Sequence, residues 1–525
     1  MVLSPLIEAM ARPDFYPHRP RRVEVVQTHI SYVFLADSEV YKVKKSVRLP
    51  FLDFSTLEQR QHFCRQEVAL NRRLAADVYR GVVGIAPTSS GYRFTADDDP
   101  AAVEYAVHMR RLPEDRILAR LLDRDEVTPA MIDTLVDRLV EFHRKARTDD
   151  VVTANGDPAR IQRVMGNSFE TVRRFRDNTI DAADDDAIQS FCRNFLAQRQ
   201  PLLRRRQKQH RIRECHGDLH AEHVCFTEPL AIFDCIEFNE RFRYCDVASE
   251  IAFLCMDLDF HRRSDLSARC VSRYADSAED AEFSDLVPFY ACHRAYVRGM
   301  VDSLTNEEDE VAEADRKSAL DRAHRHFALS YRYTWAYRPS VIVVSGLSGT
   351  GKSTLATALQ NRTGFLHLSS DVLRKQLAGI DPEVRCRTAE GAGLYTEERT
   401  RETYGTMFSR AEQALESKRG VILDATFPLR ADRDTARTLA ERRGVPFLLV
   451  QCRCDEGEIR RRLDERIRRD RGPSDADWAV YVEQRRRAEP FANAEGEPLV
   501  VETTQALDAL TRAVERELLA RSPFV

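Results

Sequence analysis

The segment 346–353, GLSGTGKS, is the feature that most restricts what this chain can fold into. It follows the short apolar run VIVVS and precedes a segment with helical character, and this context suits the pattern G-x-x-x-x-G-K-[ST]. In such a loop the glycines let backbone N–H groups converge on phosphate oxygens at the N-terminus of a helix. We therefore predict a nucleotide-phosphate site formed by Gly346, Leu347, Ser348, Gly349, Thr350, Gly351, Lys352, Ser353 and Thr354.

Two side chains of this loop have specific predicted roles. Lys352 would reach the β and γ phosphates, and the Ser353 hydroxyl would hold Mg²⁺. The alternative is a glycine-rich turn that carries a surface lysine. Lysine is scarce in this chain, with 9 Lys against 71 Arg, and this favours a specific role for the lysines that are present.

The sequence after Pro339 alternates short apolar segments with helical ones. The apolar segments are too short and continuous for amphipathic helices and are typical of buried parallel strands. Five such strands with crossover helices predict a doubly wound α/β P-loop domain over residues 339–525. The strands are VIVVS, FLHLSS, GVILDAT, PFLLVQCRC and PLVVETT.

Polar residues at the ends of these strands are candidates for the chemistry. Asp424 ends an apolar strand, where P-loop proteins place a carboxylate for Mg²⁺, although a strand-terminal aspartate is also a common helix cap. Asp371 follows the preceding strand and can accept a proton from an acceptor hydroxyl, while Arg374 can bind a substrate anion.

An arginine-rich segment, EIRRRLDERIRR, predicts a helix that folds over the phosphates as a lid. Arg462, Arg466 and Arg469 fall on one side of it, and Arg466 is the residue we expect to contact ATP. The alternative is a solvated helix held by charge pairs four residues apart.

Strand-like and helical segments also divide the chain before Pro339. Residues 23–46 predict strands with a turn at Ala36-Asp37-Ser38, and residues 55–75 predict a helix opened by a Ser or Thr cap. Residues 92–112 return to strand character, and a long helical region follows from Thr128 to Arg213. We therefore predict an α+β bilobal domain over 1–338, with a small lobe at about 23–112 and a helical lobe at about 113–335.

Four residues of this region occur in the order that kinase chemistry requires. Lys42 lies on a strand and Glu67 lies in a helix, while Asp218 belongs to the triplet HGD and Asp234 ends the segment LAIFD. In a kinase the lysine contacts the α and β phosphates, the glutamate holds the lysine, one aspartate accepts the hydroxyl proton and the other binds the metal. Lys44 falls on the same strand face and is the alternative lysine.

Both regions resemble known kinase families. Residues 340–500 resemble the small P-loop kinases related to nucleoside-monophosphate, gluconate and polynucleotide kinases and to the zeta-toxin group. The segment SSDVLRKQL is similar to the acceptor motif of the polynucleotide-kinase-like members, which implies Asp371 as general base and Arg374 as substrate contact. The region is short for a AAA+ motor, so we expect a phosphotransferase.

Residues 23–330 resemble the aminoglycoside phosphotransferase and choline kinase branch of the protein-kinase-like fold. The resemblance rests on HGDLHAEHV, FDCIEF, EVALNRRL and VEYAVHMRRLP. It implies Asp218 as catalytic base, Asp234 as metal ligand, Glu67 as partner of the strand lysine, and adenine binding at the last of these segments. Taken together, the chain resembles bacterial two-module proteins that fuse the two kinase types.

The N-terminal region departs from that family at two places. The asparagine five residues after the catalytic aspartate is His223 here, and imidazole nitrogen suits softer metals better than Mg²⁺. The glycine-rich phosphate loop is replaced by residues 29–32, HISY. His220 is read as a hydrogen-bonded structural histidine, with a role as metal ligand as the alternative.

Composition excludes several other classes of function. The chain is 43% apolar and 31% charged, as in ordinary soluble globular proteins, and it has no run of 18 apolar residues. Its N-terminus lacks a signal sequence, so we expect a cytoplasmic protein with its 12 cysteines reduced and no membrane partner. The net charge of -4 argues against a basic nucleic-acid coat.

The sequence thus predicts a kinase with two ATP sites that use Mg²⁺. Its acceptor would be a hydroxyl of a small molecule or of a nucleic-acid end. The alternatives are an N-terminal pseudokinase that senses nucleotide and regulates the other module, and an ATPase switch without an acceptor.

Overall fold

The computed structural model of the protein describes residues 5–49, 52–309, 311–386, 393–469, 472–491 and 497–522. The chain divides into two compact units, Met1–Phe327 and Ala328–Val525. Among the described residues, no helix combines the length and the apolar character needed to cross a membrane.

The first unit begins with an antiparallel sheet. Its six strands lie in the order β1-β2-β3-β8-β6-β7, and the helix α2 packs against β6 and β8. A second, two-stranded sheet pairs β4 with β5. These elements are α1 (Pro5–Met10), β1 (Val23–Gln27), β2 (Ser31–Ala36), β3 (Glu39–Lys44), β4 (Arg48–Leu49), β5 (Leu52–Asp53), α2 (Leu57–Ala75), β6 (Tyr79–Thr88), β7 (Gly91–Thr95) and β8 (Glu104–Arg110).

Local signals set the ends of these elements as the sequence predicted. Thr56 caps α2, because its side chain accepts the Gln59 N–H while the Gln59 side chain accepts the Thr56 N–H. Asp37 forms the predicted turn between β2 and β3 with φ 55°, a conformation that aspartate tolerates better than most residues. The predicted turn at Asp37 and the predicted capped helix are thus confirmed.

The rest of the first unit is mainly helical, as predicted. Two short sheets, β9 with β12 and β10 with β11, carry the loops of the candidate site. The elements are α3 (Leu118–Asp123), α4 (Pro129–Lys145), α5 (Asp150–Thr153), α6 (Pro158–Val172), α7 (Ala182–Gln198), α8 (Gln200–Lys208), β9 (Ile212–Glu214), β10 (Val224–Cys225), β11 (Ala231–Ile232), α9 (Glu240–Arg243), β12 (Tyr244–Asp246), α10 (Val247–Phe260), α11 (Ser264–Ser277), α12 (Val287–Glu307) and α13 (Glu313–Tyr333).

The second unit is a parallel five-stranded sheet in the order β14-β15-β13-β16-β17. The predicted doubly wound α/β fold is confirmed, and each of the five predicted strands is present. The elements are β13 (Val341–Ser345), α14 (Lys352–Thr363), β14 (Leu366–Ser369), α15 (Ser370–Leu377), α16 (Glu397–Glu416), β15 (Val421–Asp424), α17 (Arg430–Arg443), β16 (Phe447–Arg453), α18 (Glu456–Arg469), α19 (Trp478–Arg487), β17 (Leu499–Glu502) and α20 (Leu507–Arg521).

Strand register brings the predicted chemistry to one edge of this sheet. Val344 of β13 and Ser369 of β14 both pair with Asp424 of β15. Because the strands are parallel, the P-loop after β13 and the residues after β14 leave the sheet beside Asp424. The crevice beyond the carboxyl ends of the strands is therefore where the site is built.

The end of α13 belongs to the second unit. The Tyr331 hydroxyl donates to Glu515 Oε2 at 3.0 Å, and the Arg362 guanidinium lies 4.3 Å from the centre of the Tyr331 ring. Trp335 is only 2% exposed and meets Phe365 edge to face at 6.0 Å. The contacts thus divide the chain within α13, earlier than the boundary at 338/339 that the change of sequence texture indicated.

Candidate active sites

In the first unit, the three predicted residues Lys42, Glu67 and Asp234 meet. The Lys42 Nζ lies 2.9 Å from Glu67 Oε1 and 2.6 Å from Asp234 Oδ1. Burial by itself lowers the pKa of Lys42, but the two carboxylates outweigh it and hold the pKa well above its usual value. The lysine is therefore a cation that reaches the predicted metal ligand.

Lys44 also pairs with Glu67, and it is more deeply buried than Lys42. It lies 2.7 Å from Glu67 Oε2 and also pairs with Glu237. Both Lys44 and Glu237 are buried, whereas Lys42 keeps 15% of its side chain exposed. Of these two lysines, Lys42 is therefore the one with side-chain surface exposed towards a ligand. Sequence reasoning missed Glu237, although a glutamate inside the apolar segment FDCIEF was a usable signal.

The segment between β9 and β10 carries the predicted catalytic base. Gly217 has φ 91°, and a Cβ there would lie 3.0 Å from the Phe242 carbonyl oxygen, so glycine is required. The buried Glu250 of α10 accepts the backbone N–H groups of His216 at 2.6 Å and Gly217 at 3.0 Å. These bonds fix the backbone just before Asp218.

Charges around Asp218 keep it ionised. Burial alone would raise the pKa of Asp218, but His220, His223 and Arg298 lower it below its usual range. The carboxylate Oδ2 lies 3.6 Å from His220 Nε2 and 3.5 Å from His223 Nδ1. His220 is buried and forms a group of possible metal ligands with Asp218 and His223, so its structural role stays a prediction. Arg298 of α12 was missed, because nothing in its sequence neighbourhood singles it out.

His223 lies between the two predicted aspartates. Its Nδ1 is 2.8 Å from the Asp218 backbone oxygen, which can only accept, so Nδ1 carries the proton. Burial lowers the pKa of His223, so the ring is neutral and its lone pair lies on Nε2, 3.6 Å from Asp234 Oδ2. An imidazole nitrogen and a carboxylate oxygen thus face each other, a donor set that fits Mn²⁺ or Zn²⁺ better than Mg²⁺.

The P-loop of the second unit has the geometry that its sequence predicted. Gly351 has φ 88° as α14 begins, and a Cβ there would lie 3.0 Å from Arg462. Lys352 opens α14 and is buried. Ser353 and Thr354 follow it in the first turn, where backbone N–H groups have no helical partner.

Two cavities are lined by residues of this loop. The lid cavity, of about 400 Å³, is lined by Gly349, Gly351, Thr354, Arg462, Arg466 and Thr503. The Asp371 cavity, of about 930 Å³, is lined by Ser348, Lys352, Asp371, Arg374, Tyr404 and Gln484. The structure thus brings the predicted phosphate lysine, base and substrate arginine to one cavity.

Asp424 offers an unused oxygen at the edge of the sheet. It is 1% exposed, its Oδ2 lies 3.1 Å from His367 Nε2, and its Oδ1 has no hydrogen-bond partner among the described residues. A buried carboxylate oxygen without a partner is costly unless a ligand satisfies it. Since Mg²⁺ takes oxygen ligands, the residues present fit that ion.

Asp371 and Arg374 form one pair on α15. The Arg374 Nη1 lies 3.3 Å from Asp371 Oδ1, and its guanidinium lies 4.7 Å from the centre of the Tyr395 ring. Tyr395 donates to Asp475 Oδ2 at 2.9 Å. The arginine is thereby held against the wall of the Asp371 cavity.

The arginines of α18 have different partners. Arg462 pairs with Glu458 and Arg469 with Glu465, each four residues away, as the solvated-helix alternative requires. Arg466 has no ion pair within the parts of the chain that the structure describes. Burial lowers the pKa of Arg466, while the nearby charge of Asp371 raises it. Of the three, Arg466 is the arginine available to a ligand.

One contact of the P-loop was not anticipated. The Ser348 N–H donates to Oε1 of Gln484, on α19, at 3.0 Å. No motif marks Gln484, because its role arises from the packing of α19 against the loop.

Comparisons with known proteins agree with this two-part architecture. Residues 36–286 match the model of the phosphotransferase enzyme family, and residues 341–491 match that of the AAA domain. An uncharacterized protein of Mycobacterium tuberculosis is 29% identical over 456 residues, which cover 86% of this chain and 88% of that protein. The adenylyl-sulfate kinase of Myxococcus xanthus is 34% identical over 110 residues, 21% of this chain and 55% of that enzyme.

One similar solved structure is the Mycobacterium tuberculosis APS kinase in complex with AMPPNP and APS, at 21% identity, with 35% of this chain and 98% of that chain covered and a TM-score of 0.26. The family matches and the order of the two regions establish that the chain is a kinase made of two modules, a phosphotransferase-family domain followed by a P-loop kinase-like domain.

Proposed function

We propose that the P-loop module transfers the γ-phosphoryl group of ATP to a hydroxyl of a small molecule or of a nucleic-acid end. The observation that carries this proposal is that Lys352 and Asp371 line one cavity of about 930 Å³. A phosphate-binding cation and a general base thus share a space large enough for an acceptor. A simple ATPase switch has no need of that space.

The proposed roles follow from the positions of the side chains. Asp371 accepts the proton of the attacking hydroxyl, Arg374 binds an anionic group of the acceptor, and Lys352 contacts the β and γ phosphates. Arg466 approaches the phosphates from the lid cavity. Asp424 and Ser353 would hold Mg²⁺, which neutralises phosphate charge when it is bound.

We propose a second ATP site in the first unit. Lys42, held by Glu67, contacts the α and β phosphates, and Asp218 accepts the proton of a second acceptor hydroxyl. Asp234 and His223 would hold the metal. Because one of these ligands is imidazole, we expect Mn²⁺ to serve this site better than Mg²⁺.

The presence of His223 as a metal ligand also favours one alternative to the proposed function. In that alternative the first unit binds nucleotide but transfers phosphate too slowly to matter, and it regulates the P-loop module. Lys42, Glu67, Asp218 and Asp234 argue against it, since a binding-only module has no need of a catalytic base.

The decisive test is whether transfer of phosphate from ATP depends on an added acceptor. Purified protein is incubated with γ-labelled ATP and a panel of polyols, sugars, nucleosides and 5′-hydroxyl oligonucleotides. The panel includes adenylyl sulfate, because adenylyl-sulfate kinases are among the relatives. We expect label on one acceptor class, and Asp371→Asn or Asp218→Asn to show which module is responsible. Label that appears only as free phosphate, at a rate no acceptor changes, would instead indicate an ATPase switch.

A further inference from the structure

The side chain of Gln484 accepts a hydrogen bond from a P-loop N–H group that a phosphate would use. Its side-chain Oε1 accepts the Ser348 N–H at 3.0 Å. Backbone N–H groups of a P-loop bind phosphate oxygens. The Gln484 oxygen and a phosphate oxygen therefore compete for the same donor.

The helix that carries Gln484 is anchored to the loop. A buried apolar cluster joins α18 and α19 to the P-loop residue Leu347, and its members are Ile459, Leu463 and Tyr481, with Trp478 and Cys454 packed against them. Trp478 and Tyr481 stack with their ring centres 4.9 Å apart. Because this packing fixes the backbone of α19, Gln484 is held at the loop and only its side chain needs to move.

The cavities indicate which end of a nucleotide this donor faces. Ser348 and Lys352 line the Asp371 cavity, whereas Gly349 and Gly351 line the lid cavity. The phosphoryl group that is transferred must face the acceptor. Ser348 thus borders the cavity into which the γ phosphate must point.

We propose that Gln484 is a specificity-determining residue that distinguishes ATP from ADP. When a γ-phosphate oxygen takes the Ser348 N–H, rotation of the Gln484 amide by about 180° replaces its acceptor oxygen with its NH₂ group. That group then donates to the γ phosphate. This inference rests on the proposed function, because it requires that the P-loop hold ATP.

This exchange of hydrogen bonds depends on the amide group of Gln484, which can both accept and donate. A carboxylate at this position would keep the Ser348 N–H through a stronger, charge-assisted bond, and it has no N–H to offer the phosphate. It would also place a negative charge beside the γ phosphate. ADP would be affected less, since its terminal phosphate lies farther from that charge.

The test uses the full chain carrying Lys42→Ala, so that nucleotide binding reports the P-loop site. Calorimetry measures the Kd of a non-hydrolysable ATP analogue and of ADP, with Mg²⁺, for Gln484→Glu and its parent. We expect Gln484→Glu to weaken the ATP analogue about 10- to 100-fold and ADP less than about 3-fold, since juxtaposed like charges repel.

Two further variants separate specific from general effects. Val482→Glu adds the same charge to α19 at a residue that is 51% exposed, and we expect both Kd values to stay within about 2-fold of the parent. Gln484→Leu removes both hydrogen-bonding groups without adding charge, so we expect the preference for the ATP analogue to fall by about 3- to 10-fold. This second substitution keeps the proposal testable if the glutamate disturbs the fold.

The outcomes are distinct. Equal loss of both nucleotides in Gln484→Glu, an unchanged ratio in Gln484→Leu, or the same shift in Val482→Glu would overturn the role of Gln484. Lys352→Ala is measured in parallel. If it leaves nucleotide binding intact, the proposed function of the P-loop fails, and the Gln484 proposal fails with it. If Lys352→Ala abolishes binding while Gln484→Glu leaves the ratio unchanged, only the Gln484 proposal is lost.

Discussion

Glu67 divides its two carboxylate oxygens between Lys42, at 2.9 Å, and Lys44, at 2.7 Å, on the same strand. Successive residues of a strand point to opposite faces, so lysines two apart share a face and can meet one acid. Burial separates their roles, because Lys44 is enclosed with Glu237 while Lys42 reaches Asp234.

The first prediction concerns these two lysines. Lys44→Met leaves two buried carboxylates with one fewer cation, so we expect a loss of about 3–5 kcal/mol in the free energy of unfolding. Lys42→Met leaves Glu67 paired with Lys44, and we expect a smaller loss of stability together with loss of ATP binding by the first unit. Urea unfolding and nucleotide titration of both variants check this. Comparable stability losses would contradict the division of roles.

The second prediction concerns Asp371. Asp371→Asn keeps the size of the side chain and removes the proton acceptor, so we expect transfer by the P-loop module to fall by about 10²–10⁴ while ATP affinity is retained. Single-turnover transfer and equilibrium binding are measured on the same preparation, with Asp381→Asn as an exposed control on the same unit. Collapse of ATP binding would mean that Asp371 is structural or metal-bound.

The third prediction concerns the metal at the first unit. His223→Asn replaces imidazole with an amide oxygen that suits Mg²⁺, so we expect the Mg²⁺-supported rate of γ-phosphate loss to rise and the preference for Mn²⁺ to disappear. The background carries Lys352→Ala to silence the other site, and Mn²⁺ binding is followed by electron paramagnetic resonance. Fast Mg²⁺-dependent transfer that slows in His223→Asn would make His223 a working catalytic residue.

The fourth prediction concerns where the second unit begins. A fragment that starts at residue 339 lacks Trp335, which is 2% exposed, and Tyr331, which donates to Glu515. We expect it to be at least about 3 kcal/mol less stable than a fragment that starts at Glu313, because deletion of a buried aromatic side chain has that cost. Urea unfolding followed by far-UV circular dichroism compares the two. Equal stability would favour the boundary that the sequence indicated.

The fifth prediction concerns pH. Burial lowers the pKa of His143 to about 3, so this imidazole stays neutral in the folded state while it takes up a proton below about 6.5 in the unfolded chain. Its contribution to stability is complete above pH 6.5 and is lost as the pH falls towards 3, by up to about 1.4 kcal/mol per pH unit. Unfolding free energies between pH 7 and 5 should show a shallower slope in His143→Gln. An unchanged slope would mean that another group titrates.

Much of the fold was accessible from sequence because its signals are local. The strand VIVVS, the P-loop and the four later strands each carry their own pattern, and the Thr56 cap is set by residues three apart. The order Lys42, Glu67, Asp218, Asp234 could be recognised for the same reason, since each residue sits in a short motif.

The residues that were missed owe their roles to distant partners. Glu237 matters because the fold brings it to Lys44, and Gln484 because α19 packs on a loop far earlier in the chain. Arg298 lowers the pKa of Asp218, but the charge pattern of the helix that carries Arg298 does not indicate this role. Such pairings depend on tertiary packing, which no periodicity or spacing within a segment encodes.

The P-loop lines both the lid cavity and the Asp371 cavity, and this has a consequence for inhibition. In a bisubstrate compound, a phosphate-like linker that binds the loop would join a nucleoside to an acceptor mimic in the Asp371 cavity. Once one end is bound, the other is present at a high effective concentration, so the joined molecule should bind far more tightly than either half. Its best acceptor half would also reveal the chemistry of the natural substrate.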